Sequence, residues 1–322
     1  DRMGKILLMN IDSVIPNLAL KKIEKYHLDK GDEVIWDLAL ALNLVDKAYV
    51  SCIFPENRYK CLIFEGRALI GGSGYSLTIR LPPEIEIVKP RINWGFTTRG
   101  CIRKCYFCFV PEMEGWIHIV GDIYDIWDEE SRKLYIMDNN ILALPNHFKL
   151  ICEQIRKEKL RVDFNQGLDH RLLTEELWHE LLTLKHIHEI RFAFDDIAYK
   201  KTVIKALELM SKNGLKDWQT RWYVYAGEKD TFETVYERLN ILKQYKQHAY
   251  LMRDKKVYDD PRWIALSAWT SLMGAFKLDA DFYKLLQEND RFKPYAKFFP
   301  NPETKHCRTA IKQCPQTVMR LE

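Results

Sequence analysis

Residues 92–108 read INWGFTTRGCIRKCYFC, and this stretch decides how the rest of the chain is parsed. Ile92 to Thr97 alternate as a short apolar strand, Thr97, Thr98, Arg99 and Gly100 turn the chain, and a loop follows with Cys101, Cys105 and Cys108. The spacing is C-x3-C-x2-C with an aromatic residue, Phe107, directly before the last cysteine. A structural zinc site ordinarily draws on two separated pairs of ligands. No second pair lies near this loop: Cys152 stands alone in a helical pattern, and Cys307 and Cys314 form a C-x6-C at the far end.

Spacing, aromatic and preceding strand together resemble the signature loop of the radical S-adenosylmethionine (SAM) superfamily. An iron–sulfur cube takes four thiolates as a rule, so a loop offering three leaves one iron for another ligand. The resemblance implies a [4Fe–4S] cluster on Cys101, Cys105 and Cys108, with the amino and carboxylate end of SAM on the open iron and Phe107 beside it. It further implies reductive cleavage of SAM to methionine and a 5′-deoxyadenosyl radical that abstracts hydrogen from a substrate. An electron donor such as flavodoxin or ferredoxin belongs to that chemistry. Arg99, Arg103 and Lys104 set positive charge beside the thiols, which favours their ionised form, or are ordinary solvated charges.

With 322 residues, 47% of them hydrophobic and 29% charged, the chain has the composition of a globular protein with an ample core. No apolar run approaches the roughly 20 residues of a membrane helix, and eight cysteines without an export signal read as reduced thiols, so a cytoplasmic protein is expected. A net charge of +4 does not by itself announce nucleic acid.

Three domains are expected. Residues 1–90 read as a small Rossmann-like α/β unit: strand at Lys5–Ile11, helix from Pro16 to about Leu28, and strands at Glu33–Leu38, Ala48–Phe54 and Ala68–Ile70. This resembles a trimmed cobalamin-binding domain, but the D-x-H-x-x-G motif that supplies a histidine to cobalt is absent and the first histidine, His27, falls inside the first helix. Cobalamin is therefore not expected. The glycines from Gly71 to Gly74 suit a strand-end turn better than a phosphate cradle.

Residues 91–257 alternate strand and helix, with strands at 92–97, 133–138, 161–165, 189–195, 219–226 and 247–252 and Thr174 and Asp230 as helix caps. The resemblance implies a partial (β/α)6 TIM-type barrel here. Residues 258–322 read as a helical cap whose aromatics, interleaved with Lys293, Lys297, Lys305, Arg308 and Lys312, either fill a core or stack bases.

In such barrels ligands sit at the carboxyl ends of the strands. The second strand ends in Asp138, Asn139 and Asn140, where the superfamily often has a Gly-Gly-Glu motif for the SAM ammonium. Asp138 is the first choice for that contact, and an Asx turn is the competing reading. Asn165, Gln166 and Asp169 end the third strand and suit ribose or substrate, while His170 and Arg171 read as helix surface. On the fourth strand Arg191 and Asp195 share a face by alternation, and Arg191 either holds the SAM carboxylate or pairs with Asp195; on the fifth, Tyr223 either packs against the adenine of SAM or fills the core. His186 and His188 read as solvated turn residues. No catalytic residue is assigned, and the substrate is open between nucleic acid, peptide and small molecule. A cobalamin-dependent methylase and a non-catalytic iron–sulfur or zinc nucleic-acid-binding protein are the rival readings.

Overall fold

The computed structural model describes residues 3–278 and 280–299. The chain is a mixed α/β protein with parallel sheets, packed as two compact units, Asp1–His188 and Glu189–Glu322.

The first unit begins with β1 (Lys5–Asn10), α1 (Leu18–Asp29), β2 (Glu33–Trp36), β3 (Lys47–Ser51) and β4 (Leu69–Gly71), a four-stranded parallel sheet in the order β2-β1-β3-β4. Ile6, Leu7 and Leu8 are buried in succession because both faces of a parallel sheet are covered. Leu7 packs with Val50, Cys61 and Phe64 on one face, and Ile6 and Leu8 pack with Leu20 and Ile23 of α1 on the other. The helix starts two residues after Pro16, because the Asn17 side chain accepts from the Leu20 amide and caps it there. His27 lies buried on α1, bonded to Asp32 at 2.7 Å and to the Tyr49 hydroxyl at 3.0 Å. Gly72 and Gly74 follow β4, and a Cβ at Gly72 would lie 2.3 Å from the Cys52 carbonyl oxygen and one at Gly74 2.5 Å from the Phe54 carbonyl carbon. These glycines serve a close approach of two backbones.

After α2 (Pro83–Glu86) comes β5 (Trp94–Gly95), then an antiparallel ribbon, β6 (Thr98–Arg99) with β7 (His118–Ile119), which encloses the cysteine loop and α3 (Val110–Glu114). β8 (Lys133–Ile136), α4 (Pro145–Lys157), β9 (Arg161–Phe164), α5 (Glu175–Thr183) and β10 (Lys185–His186) complete a second parallel sheet, order β10-β9-β8-β5. Phe148, Ile151, Cys152 and Ile155 form the buried stripe of α4 at helical spacing. Thr174 caps α5 through the Leu177 amide, as its position predicts. His186 is no solvated turn residue: it pairs with Val162 in β10, its Nε2 lies 2.7 Å from the Leu181 carbonyl, and burial lowers its pKa. Trp94 stacks on Tyr135 with ring centroids 4.1 Å apart, and Tyr135 pairs with Asp163. That register brings the carboxyl ends of β5, β8 and β9 level with one another.

The second unit runs β11 (Ile190–Ala193), α6 (Lys200–Lys212), β12 (Thr220–Ala226), α7 (Phe232–Gln244), β13 (His248–Arg253), α8 (Pro261–Thr270), α9 (Gly274–Leu278) and α10 (Phe282–Glu288), with the three strands parallel in the order β11-β12-β13. Thr231, rather than Asp230, caps α7, because Asp230 is drawn away to the Gly227 amide and the Arg238 guanidinium. Trp263, Trp269, Phe276, Phe282 and Phe292 are buried, and Trp269 meets Phe276 and Phe282 at 4.8 and 5.2 Å between centroids. These aromatics are core. Lys305, Arg308 and Lys312 lie outside the described residues.

Candidate functional site

Three strand ends build the site. Thr97, just past β5, donates its amide to Asp138 Oδ1 at 2.7 Å and its hydroxyl to Oδ2 at 2.5 Å. Asp138 follows β8, so its carboxylate ties two strand ends together. Burial pushes its pKa up to about 6, against the lowering pull of the Thr97 bonds. Behind it, His147 Nε2 lies 3.1 Å from Thr97 Oγ1, and burial lowers the His147 pKa, which keeps the imidazole neutral.

The cysteine loop hangs from this frame by backbone geometry and one carboxylate. Gly100 has φ +79°, and a Cβ there would come within 2.5 Å of the Trp116 carbonyl oxygen, so only glycine fits. The Cys101 amide donates to the Gly115 carbonyl at 3.1 Å, closing the loop at its base. Glu114, at the end of α3, accepts from the Gly100 amide and from Asn139 Nδ2, each at 2.8 Å, and pairs with Arg99 at 2.8 Å. One side chain thus joins both legs of the loop to the end of β8.

The loop is also pinned from β9. Arg103 Nε donates to Asp169 Oδ2 at 2.8 Å, and Arg171 Nε donates to Oδ1 at 2.6 Å. Burial acts to raise the Asp169 pKa, but the bonds from Arg171 and Arg103 win and hold it below the usual carboxylate range. Asn140 is 4% exposed, and its Nδ2 lies 3.5 Å from Cys101 Sγ and 3.4 Å from Asp169 Oδ2. Its Oδ1 is buried without a hydrogen-bond partner. The Arg103 amide also donates to Cys101 Sγ, at 3.3 Å.

Cys101, Cys105 and Cys108 are all partly buried on this loop. Among the described residues no three His, Cys, Asp or Glu side chains converge on a metal-ion position. In donor chemistry the loop fits an iron–sulfur cluster: three soft thiols, an amide N–H from backbone and one from side chain at the first of them, and beside it an acceptor with no partner. Cys152 is excluded as a further ligand by full burial in α4, which also pushes its thiol pKa up. Cys307 and Cys314 lie outside the described residues.

Phe107 is 37% exposed and meets Tyr106 edge to face at 5.3 Å. Asn165 is half-buried, with its amide on the Ile136 carbonyl at 3.0 Å, and Gln166 is exposed. His170 is buried rather than helix surface, and Arg171 is spent on Asp169. Arg191, Asp195 and Tyr223 belong to the second unit. There Asp195 accepts from the Tyr225 amide at 3.3 Å, and Tyr223 packs against Tyr250 at 5.8 Å. Sequence reading missed Thr97 and Glu114, whose partners lie 41 and 14–25 residues away and leave no local signal.

In the first sheet, Asp12 beyond β1 takes the Ile53 and Phe54 amides at 2.8 and 2.9 Å and Asn57 Nδ2 at 3.1 Å. Burial acts to raise its pKa, and the amide bonds hold it below the usual range. Asp12 thereby joins the chain just past β1 to the chain just past β3, next to the point where the order of a doubly wound sheet reverses. No family model and no curated protein matches the chain.

Proposed function

We propose that this is a radical SAM enzyme in which Cys101, Cys105 and Cys108 hold a [4Fe–4S] cluster and the strand ends of the first unit hold SAM for radical hydrogen abstraction. The observation that carries the reading is Asn140. A buried acceptor left unpaired costs on the order of 1–3 kcal/mol, and Asn140 Oδ1 is such an acceptor, on the same amide that faces Cys101. A ligand that brings an N–H donor to the cysteine loop completes it, which is what the ammonium of SAM offers. Asp138 already accepts from Thr97 at both oxygens while Asn140 Oδ1 has no partner, so this reading gives the ammonium first to Asn140, with Asp138 beside it.

When bound, the cluster supplies the single electron for reductive cleavage of SAM. The chain's own part is to position: Glu114 and Arg103 fix the loop, and Asn140 orients the amino end of the ligand. In this reading a partial barrel is the proposed fold, and Asn165 and Gln166, past β9, are further ligand contacts. In the same reading the first sheet serves without cobalamin, since the D-x-H-x-x-G motif is absent from the sequence.

The test is anaerobic reconstitution with iron and sulfide, followed by electron paramagnetic resonance of the dithionite-reduced protein with and without SAM. A cluster signal that changes on adding SAM is expected. A signal that forms but ignores saturating SAM would contradict the reading.

A further inference from the structure

Cys101 Sγ receives two N–H groups, from the Arg103 backbone at 3.3 Å and from Asn140 Nδ2 at 3.5 Å. The orientation of the Asn140 amide follows from its surroundings. Its Nδ2 faces a sulfur and a carboxylate oxygen, Asp169 Oδ2, whereas a flipped amide would set Oδ1 against both acceptors. Asp169 is itself immobilised by Arg103 and Arg171 and is 7% exposed. The amide donor is therefore held at the sulfur by a buried ionic anchor.

We infer that Asn140, held by Asp169, raises the reduction potential of the cluster by hydrogen bonding to the Cys101 sulfur. The inference rests on the proposed cluster. Reduction adds one electron, spread over iron and sulfur, so an N–H dipole aimed at a ligating sulfur stabilises the reduced form more than the oxidised one. Burial amplifies this, because little water is present to screen the dipole. Asn140 is then a positioning residue whose nitrogen meets the cluster sulfur and whose oxygen has no partner within the chain. Coupling the two in one planar amide means that a ligand bound to Oδ1 polarises the same N–H that meets the sulfur.

The experiment is a potentiometric titration of the reconstituted full chain without SAM, followed by electron paramagnetic resonance, on the native protein, Asn140→Leu and Asn140→Asp. Leucine removes the donor at similar volume, and aspartate places an oxygen where the donor stood. Iron and sulfide are assayed on the same samples. The expected result is full cluster content with a more negative potential in both variants, the Asn140→Asp shift being the larger. A tenfold weakening of reduction, about 59 mV for a one-electron couple, is the scale expected for Asn140→Leu. Full cluster content with unchanged potential would overturn the inference and leave the proposed function standing. Absence of a cluster from the native protein would overturn the proposed function itself. If the native protein loads and neither variant does, Asn140 is an assembly residue, and the inference is likewise overturned.

Discussion

Arg238→Ala is expected to destabilise the chain by about 3–5 kcal/mol, the scale of an ion pair broken inside a protein. Arg238 on α7 is fully buried, and its guanidinium donates to the Phe194 carbonyl at 3.2 Å, the Tyr225 carbonyl at 2.9 Å and the Asp230 carboxylate. Its Nε meets the Thr234 carbonyl at 3.2 Å. One side chain therefore satisfies acceptors just past β11 and within β12, together with the loop that follows. Burial pushes the Asp230 pKa up while Arg238 pulls it down, so removing the arginine leaves a half-buried carboxylate without its ion-pair partner. Arg238→Lys is expected to recover only part of the loss, since a point charge cannot serve divergent acceptors as a planar fork does. Urea denaturation followed by circular dichroism measures both. A change within about 0.5 kcal/mol for Arg238→Ala, the range of an ordinary surface substitution, would contradict the assignment.

The second large effect belongs to Asp138 and is a matter of pH. Its folded pKa, about 6, stands above the unfolded value of 3.8. The folded state therefore holds the proton more tightly, and the stability this contributes is complete below pH 3.8 and is lost as the pH rises through about 6. That displacement corresponds to about 2–2.5 kcal/mol of stability lost between pH 4 and pH 7 from this group. Asp138→Asn keeps an acceptor for the Thr97 amide without a charge to bury, and is expected to flatten that slope and to equal or exceed the native stability at pH 7. Asp138→Ala is expected to lose stability at every pH, by about 1–3 kcal/mol, because the Thr97 amide is left without an acceptor. Denaturation midpoints from pH 4 to 7 on cluster-free protein read both effects. An Asp138→Asn profile as steep as the native one would refute the linkage.

Hydrophobic alternation carried most of the fold. The strands expected at 219–226 and 247–252 are observed as Thr220–Ala226 and His248–Arg253, and the helix expected from 146 to 158 spans Pro145–Lys157. Those segments have buried faces whose period is written in the residues themselves. What escaped were elements and contacts made by distant partners. The ribbon of Thr98–Arg99 with His118–Ile119 has two residues per strand and no period to read. β10, at Lys185–His186, is a strand because Arg161 and Val162 pair with it. Asp230 has the chemistry of a cap, but a buried arginine eight residues on competes for it and leaves the cap to Thr231. In the candidate site the three cysteines were legible by spacing, and Asn140 by its place after β8. That Asp138 is bonded at both oxygens while Asn140 Oδ1 has no partner depends on Thr97, which the strand pairing of β5 with β8 brings alongside.

In the proposed function the thiols of one loop suffice to hold an iron–sulfur cluster. Iron and acid-labile sulfide per chain, measured after anaerobic reconstitution of the native protein and of the variant with Cys101, Cys105 and Cys108 all replaced by alanine, test it most directly. About four of each are expected in the native protein and none in the triple variant, with a Cys152→Ala chain that folds retaining the native content. Retention of iron and sulfide by the triple variant, or zinc with no sulfide in the native protein, would contradict it.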